Sequence, residues 1–224
     1  TDNKKVTAKR FFEFKERNEK ISMLTAYDYT TARIIDAGGV DCILIGDSAS
    51  NVMAGNIDTL PITVDQMIYH ARSVARGVSR ALVLCDMPFG SYQVCPDDAV
   101  RNAVRIMKES RADALKLEGG IELVPTITRI INAGIPVCGH LGLTPQSVNV
   151  FGGYGLRAKD DAEAAKLIAD AEALDKAGCF GIVLEKVPAA LAEEVTKRVR
   201  CATIGIGAGN KTDGQVLVYA DMMG

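Results

Sequence analysis

The chain has 224 residues, 48% of them hydrophobic, enough for one large core or two small ones. Its formal net charge is -2, and no stripe of Lys and Arg with interleaved aromatics occurs, so nucleic acid is not an expected partner. No apolar run approaches the ~20 residues of a membrane span, and the polar, basic stretch 1–10 lacks the apolar segment of a signal peptide. These features set the expectation of no membrane partner and a cytoplasmic location.

Short apolar runs alternate with helical patterns along the chain. Run 21–26 precedes a helix over 30–37, which Gly38 and Gly39 end. Run 42–46 is followed by a helix over 64–76, opened by Thr63 as cap and closed at Gly77. Run 81–85 leads to a helix over 97–110, starting at an acidic pair just after Pro96. Run 114–117 leads to a helix over 121–133 that stops at Gly134. Run 135–139 is followed by a helix over 162–177, stopped by Gly178. Run 181–184 precedes a helix over 189–199, which begins after Pro188. Runs 203–207 and 216–219 complete the series. Glycine recurs at helix ends because a left-handed residue there costs little without a Cβ.

This alternation demands a parallel sheet with helical crossovers, either open and doubly wound or closed into a barrel. The count of eight runs is the number that closes a barrel. The first run is followed by Ala26-Tyr27-Asp28 rather than a glycine-rich nucleotide turn. No linker breaks the composition. The expected fold is therefore α/β, a single (β/α)8 TIM barrel in one domain over residues 1–224. Only residues 220–224 follow the eighth run, whereas such barrels run to about 250 residues, so a C-terminal segment is expected to be missing.

Six cysteines occur, none in a CxxC pair and none with zinc spacing. Cys42, Cys85, Cys138 and Cys201 lie in or beside apolar runs and read as small buried hydrophobes in a reducing cytosol.

The functional signal is what ends the runs. Asp47 and Ser48 follow the second, Asp86 the third, Glu118 the fourth, His140 the fifth and Glu185 the sixth. One Asp after a strand is most simply a helix cap or an Asx-turn. A set is different, because all C-terminal strand ends of a barrel converge on one mouth. Asp47, Asp86 and Glu118 then come from three successive strands about 4.8 Å apart. Three such carboxylates repel unless a cation lies between them, and an oxygen-only set suits Mg²⁺. Lys116 shares a strand face with Glu118. It reads as a structural partner of the acids or as a clamp for an anionic substrate. A Schiff-base role ranks lower, since neighbouring acids keep the amine protonated. Glu185, across the ring, reads either as a base toward a carbon beside a ketone, or as a partner of Lys186 or of the helix N-terminus near Pro188. His140 reads as a mouth residue or a structural histidine, and His70, within a helical pattern, as structural. The run Ile204-Gly205-Ile206-Gly207-Ala208-Gly209 reads as a phosphate cradle or as close packing.

Several segments resemble the ketopantoate hydroxymethyltransferase family, in order and over nearly the whole chain. They are Leu24-Thr25-Ala26-Tyr27-Asp28-Tyr29, Gly46-Asp47-Ser48, Thr59-Leu60-Pro61-Ile62-Thr63 and Lys116-Leu117-Glu118-Gly119-Gly120. The block Val137-Cys138-Gly139-His140-Leu141-Gly142-Leu143-Thr144-Pro145-Gln146-Ser147, Gly152-Gly153-Tyr154, the glycine run and Thr212-Asp213-Gly214-Gln215 complete the set. The resemblance implies a (β/α)8 barrel and a large homo-oligomer, a decamer. It implies hydroxymethyl transfer from 5,10-methylenetetrahydrofolate to 3-methyl-2-oxobutanoate on the route to pantothenate. It also implies Asp47, Asp86 and Glu118 as magnesium residues, Asp47, Ser48, Asp86 and Lys116 as the oxo-acid site, and Glu185 as proton acceptor. His140 falls in the family's active-site block and is counted with the substrate site. The chain departs from the family pattern over 49–56, where many members carry Leu-Gly after the Asp-Ser pair and Gly-His or Gly-Tyr later. A magnesium-dependent 2-oxo-acid lyase and a non-catalytic barrel scaffold stand as rival readings.

Overall fold

Eight short parallel strands pair in chain order and close on themselves, β1 (Ile21–Thr25) bonding both to β2 (Cys42–Ile45) and to β8 (Gly214–Leu217). The computed structural model describes residues 4–224; residues 1–3, the start of the polar N-terminal stretch, lie outside the described residues. Before β1 stands α1 (Ala8–Glu16), and between β1 and β2 stands α2 (Tyr29–Ala37). After β2 come α3 (Ala49–Val52), α4 (Val64–Gly77), β3 (Leu82–Asp86), α5 (Pro96–Ser110) and β4 (Ala114–Glu118). Then follow α6 (Val124–Asn132), β5 (Val137–Gly142), α7 (Val148–Phe151), α8 (Asp161–Ala177), β6 (Gly181–Glu185), α9 (Ala189–Arg198) and β7 (Ala202–Ile206). The short α10 (Tyr219–Met223) follows β8.

Strand residues alternate between two cores because successive side chains point to opposite faces. Ile21, Met23, Cys42, Leu44, Leu82, Leu84, Cys138, Val183, Ile204 and Val216 fill the barrel interior. Ile43, Ile45, Val83, Leu115, Leu117, Val137, Ile182 and Leu184 pack outward against the helices. The helices start where their caps predict. Thr63 accepts from Gln66 N while Gln66 Oε1 accepts from Thr63 N, a reciprocal cap. Asp28 and Asp160 cap α2 and α8.

One element was not expected from the polar N-terminal stretch. In α1, Phe11 and Phe14 turn into the barrel-interior core, and the Phe11 ring meets Phe180 edge-on at 5.1 Å. Lys15 secures the helix by donating to Thr196 O and Cys201 O and pairing with Asp213 at 2.9 Å. Cys201 and Asp213 lie just before the starts of β7 and β8, so α1 closes the end of the barrel away from the strand C-termini. Each buried phenylalanine contributes about 1.5–3 kcal/mol.

Cys42, Cys85, Cys138, Cys179 and Cys201 are free and buried, and burial pushes their thiols up, which keeps them protonated. Among the described residues no helix is long and apolar enough to cross a membrane.

Candidate active site

The strand C-termini open into a cavity of about 650 Å³ lined by Asp47, Ser48, Asp86, Lys116, Glu118, His140 and Glu185. The structure thus brings every expected site residue to one mouth. The strands run further than the sequence suggested, so Asp86, Glu118, His140 and Glu185 lie inside β3, β4, β5 and β6 rather than after them. Register sets their neighbours: Asp86 pairs with Lys116, Glu118 with His140, and Glu185 with Ile206. Asp47 sits one residue beyond Gly46, where the chain folds back so tightly that a Cβ on Gly46 would lie 2.6 Å from Ser48 Oγ. At Gly142, φ is +88 and a Cβ would meet Glu185 O at 2.3 Å, so glycine lets β5 lie against the backbone of Glu185.

Lys116 is the centre of charge. Its Nζ lies 3.1 Å from Asp86 Oδ1 and 3.1 Å from His140 Nδ1. Burial opposes its charge, but Asp86, Glu118 and Asp47 outweigh burial and raise its pKa above the ordinary lysine value. The Schiff-base reading therefore has no support, because the amine stays an ammonium. His140 stands between acids, with Nδ1 3.4 Å from Glu118 Oε1 and Nε2 3.2 Å from Glu185 Oε2. Burial and the Lys116 charge push its pKa down, yet the contacts to Glu118 and Glu185 prevail and raise it to about 9. Burial also drives Asp47 well above the usual carboxylate range, helped by Glu118 and Asp86. Asp86 is raised by burial against the pull of Lys116. Glu118 is lowered, since His140 and Lys116 overcome its burial.

Lys186 donates to Tyr154 O, and the ion contact of Glu185 is with His140 instead. His70 is structural, with Nδ1 2.8 Å from Tyr27 O and its ring edge-on to Tyr27 and Tyr69. In the glycine run a Cβ on Gly205 would lie 2.8 Å from Thr212 Oγ1, and one on Gly209 2.5 Å from Ala189 Cβ, which supports close packing. The divergent segment 49–56 ties itself down. Ser50 Oγ donates to Asp58 O, Asn51 Nδ2 to Asn56 O, and Asn56 Nδ2 to Ser50 Oγ. It carries Asn51 and Val52 to the cavity wall without touching the acids' hydrogen bonds.

Three residues escaped the sequence reading. Tyr27 OH lies 2.7 Å from Ser48 Oγ. Gln146 Nε2 donates to Asp47 Oδ2 at 2.9 Å, and Tyr92 OH donates to Gln146 Oε1 at 2.6 Å. Gln146 lay within the His140–Ser147 block, but nothing in its spacing marks a buried amide.

The donor set fits a small hard cation assisted by water. Among the described residues no three His, Cys, Asp or Glu side chains are grouped to enclose an ion unaided. Mg²⁺ needs no such cage, since it keeps several waters and binds through one or two carboxylates. Two buried oxygens, Asp86 Oδ1 and Glu118 Oε1, accept no hydrogen bond and have only the ion contacts to Lys116 at 3.1 Å and His140 at 3.4 Å.

A sequence profile described as ketopantoate hydroxymethyltransferase matches residues 5–224. The chain belongs to the ketopantoate hydroxymethyltransferase family. It is 65% identical over 223 residues to 3-methyl-2-oxobutanoate hydroxymethyltransferase of Bacteroides fragilis, an alignment covering 100% of this chain and 82% of the relative. The enzyme of the same name from Flavobacterium johnsoniae is 63% identical, again with 100% and 82% covered. Solved structures share the fold at low identity. 2,3-Dimethylmalate lyase, of the PEP mutase/isocitrate lyase superfamily, is 15% identical with a TM-score of 0.67, covering 96% of this chain and 82% of that one. Phosphonopyruvate hydrolase in complex with oxalate and Mg²⁺ is 12% identical with a TM-score of 0.72, covering 97% and 82%. Within the family's barrel, the mouth at the strand C-termini is the place for chemistry.

Proposed function

We propose that this chain transfers a hydroxymethyl group from 5,10-methylenetetrahydrofolate to 3-methyl-2-oxobutanoate, with Mg²⁺ as cofactor. The observation that carries the reading is one juxtaposition: the Lys116 ammonium and three buried carboxylates face Glu185 across a single cavity. Relatives 60–65% identical over essentially the whole chain bear the name of that activity.

Asp47, Asp86 and Glu118 would hold the cation together with water. When bound, it would withdraw charge from the ketone oxygen and so acidify the neighbouring carbon. Lys116 and Ser48 receive the substrate carboxylate, with Tyr27 OH fixing the Ser48 hydroxyl. The branched alkyl group then lies toward Val183, Ile206 and Val216. Glu185, partly open to the cavity, takes the proton from the substituted carbon beside the ketone. His140 Nε2 lies 3.2 Å from that carboxylate, an ion contact that accounts for charge but not for a hydrogen bond. Water adds at the methylene of the folate while its two C–N bonds break and tetrahydrofolate leaves, which frees a one-carbon aldehyde. The enolate carbon attacks that carbonyl carbon, and the aldehyde oxygen takes up a proton to become the new hydroxyl group. Assembly into a homo-oligomer in the cytoplasm completes the proposal, and light scattering in solution checks the assembly.

The test is deuterium exchange at the branched carbon of 3-methyl-2-oxobutanoate, followed by proton NMR without folate. Exchange is expected only with Mg²⁺, and Glu185→Gln should slow it by about 10²–10⁴-fold. Exchange unaffected by that substitution would remove Glu185 as the base. No exchange with Mg²⁺, even after adding tetrahydrofolate, would overturn the substrate assignment.

A further inference from the structure

Each carboxylate of the acidic trio has one oxygen held by a fixed donor. Asp86 Oδ2 accepts from Asp47 N at 3.0 Å. Asp47 Oδ2 accepts from Gln146 Nε2 at 2.9 Å, and Glu118 Oε2 accepts from Gln146 N at 2.9 Å. The other oxygens of Asp86 and Glu118 are buried, have no hydrogen bond, and face Lys116 and His140. Two of the three ties come from a single residue on the loop after β5.

The amide of Gln146 has no freedom to turn. Its Nε2 gives one hydrogen to Asp47 Oδ2 and the other to Met87 O at 3.0 Å. Its Oε1 accepts from Tyr92 OH at 2.6 Å and from Gln93 Nε2 at 3.0 Å. An amide makes two donations and accepts at two lone pairs, so its capacity is filled. A flipped amide would set oxygen against the Asp47 carboxylate and the Met87 carbonyl, and nitrogen against the Gln93 amide nitrogen. Tyr92 is anchored in turn, its hydroxyl accepting from Glu118 N at 3.1 Å. The network links the ends of β2, β3 and β4 through one side chain.

We propose that Gln146 is the positioning residue of the cation site, clamping Asp47 and Glu118 so that each presents a single oxygen to the centre. This rests on the reading that the acidic trio holds a divalent cation. Its consequence is selectivity. Single oxygens suit the compact octahedral shell of Mg²⁺ or Mn²⁺, whereas a carboxylate free to swing and chelate with both oxygens suits the larger, more flexible shell of Ca²⁺. Gln146 thereby biases the mouth toward the small ion before any substrate arrives.

The experiment uses the full chain without substrates and Mn²⁺ as probe. Paramagnetic resonance and calorimetry read Mn²⁺ affinity, with Mg²⁺ and Ca²⁺ as competitors. Gln146→Leu removes the side-chain tie and keeps the backbone one. It should weaken Mn²⁺ binding by about 10–100-fold, the usual effect of losing a partner that orients a ligand. Competition should shift toward Ca²⁺ by roughly tenfold. Thermal unfolding in chelator reports any general loss of structure separately. A folded Gln146→Leu protein that binds Mn²⁺ within about threefold of the parent, with unchanged competition, overturns the proposal. Where that variant does not fold, Tyr92→Phe decides: it keeps the amide but releases its anchor, so affinity should fall several-fold in the same direction, and an unchanged affinity overturns the proposal. Absence of Mn²⁺ binding by the parent chain would instead fell the cation reading itself, and this inference with it.

Discussion

The mouth of the barrel has two halves built from the same strand positions. From β2 to β5 the inward residues at the top are Asp47, Asp86, Lys116, Glu118 and His140, all buried and charged or ionisable. From β6 round to β8 the cavity wall is formed by Val183, Ile206 and Val216, with the charged Glu185 at the end of β6. What differs between the two halves is how each is held. The apolar half is stabilised by contact alone and tolerates changes of shape. The charged half is stable only as a network, because each buried charge is costly without its partner. Glu185 sits at the seam, beside Ile206 in register and 3.2 Å from His140. Glu185 thus faces apolar residues on one side and the charged network on the other.

The largest effect should come from cutting the charged half at its centre. Lys116→Met keeps the side-chain bulk but leaves Asp86 and Glu118 without the ammonium that offsets them. Removing one partner of a buried pair costs about 3–5 kcal/mol, and denaturant unfolding in chelator at about pH 8 should show a loss of that order. Mg²⁺ should return part of it, since a second cation replaces some of the missing charge. A loss below about 1 kcal/mol would mean that the acids are held by their hydrogen bonds and not by Lys116.

A smaller effect should appear with pH. The folded-state pKa of His140 is raised to about 9, above the ordinary value near 6.5. The contribution is thus fully present below about 6.5 and lost as pH rises through about 9, with an upper bound on the order of 3 kcal/mol. The raised Asp47 has the same sign, with its loss beginning above the ordinary aspartate range near 4. Urea midpoints of chelator-treated protein should therefore fall from about pH 6.5 to about pH 9, and His140→Asn should flatten that slope. Saturating Mg²⁺ should flatten it too, because its charge works against the imidazolium. An equal slope in the His140→Asn variant would assign the titration elsewhere.

The two halves differ as much in legibility as in energy. Charge at the end of an apolar run is a local anomaly, so Asp47, Asp86, Glu118 and Glu185 stand out in the sequence itself. Eight apolar runs with helical spacers carry the barrel, because period-two and period-3.6 patterns are local as well. The length of β5 is not legible, since Gly139 and His140 look like a strand ending although pairing with Gly181–Glu185 continues past them. Nor is α1, which begins within the polar stretch 1–10 and whose Phe11 and Phe14, just beyond it, find their core only across the closed barrel. Gln146 and Tyr92 are hidden for the same reason: their partners Asp47 and Glu118 are distant in sequence, and an amide becomes informative only when buried.

The smallest effect belongs to the apolar half, and it concerns discrimination more than stability. Ile206 is paired with Glu185 and lines the cavity, so under the proposed mechanism it would stand beside the carbon that loses its proton. It is only partly buried, so Ile206→Ala leaves open space at the cavity wall rather than a sealed void, and the fold should tolerate it. One methylene in an apolar pocket is worth about 10–200-fold in selectivity. The parent chain should therefore prefer 3-methyl-2-oxobutanoate over 3-methyl-2-oxopentanoate, and Ile206→Ala should cut that preference in kcat/KM by roughly tenfold. Proton exchange with the smaller acid should stay dependent on Glu185, since the base and its His140 contact are untouched. If the preference survives Ile206→Ala but falls in Val183→Ala, the alkyl group lies one layer deeper in the barrel, because Val183 shares the inward face of β6 with Glu185 two residues below it. If neither substitution moves it, the apolar half does not read the substrate, and the division of the mouth into a charged side that holds and an apolar side that selects is wrong.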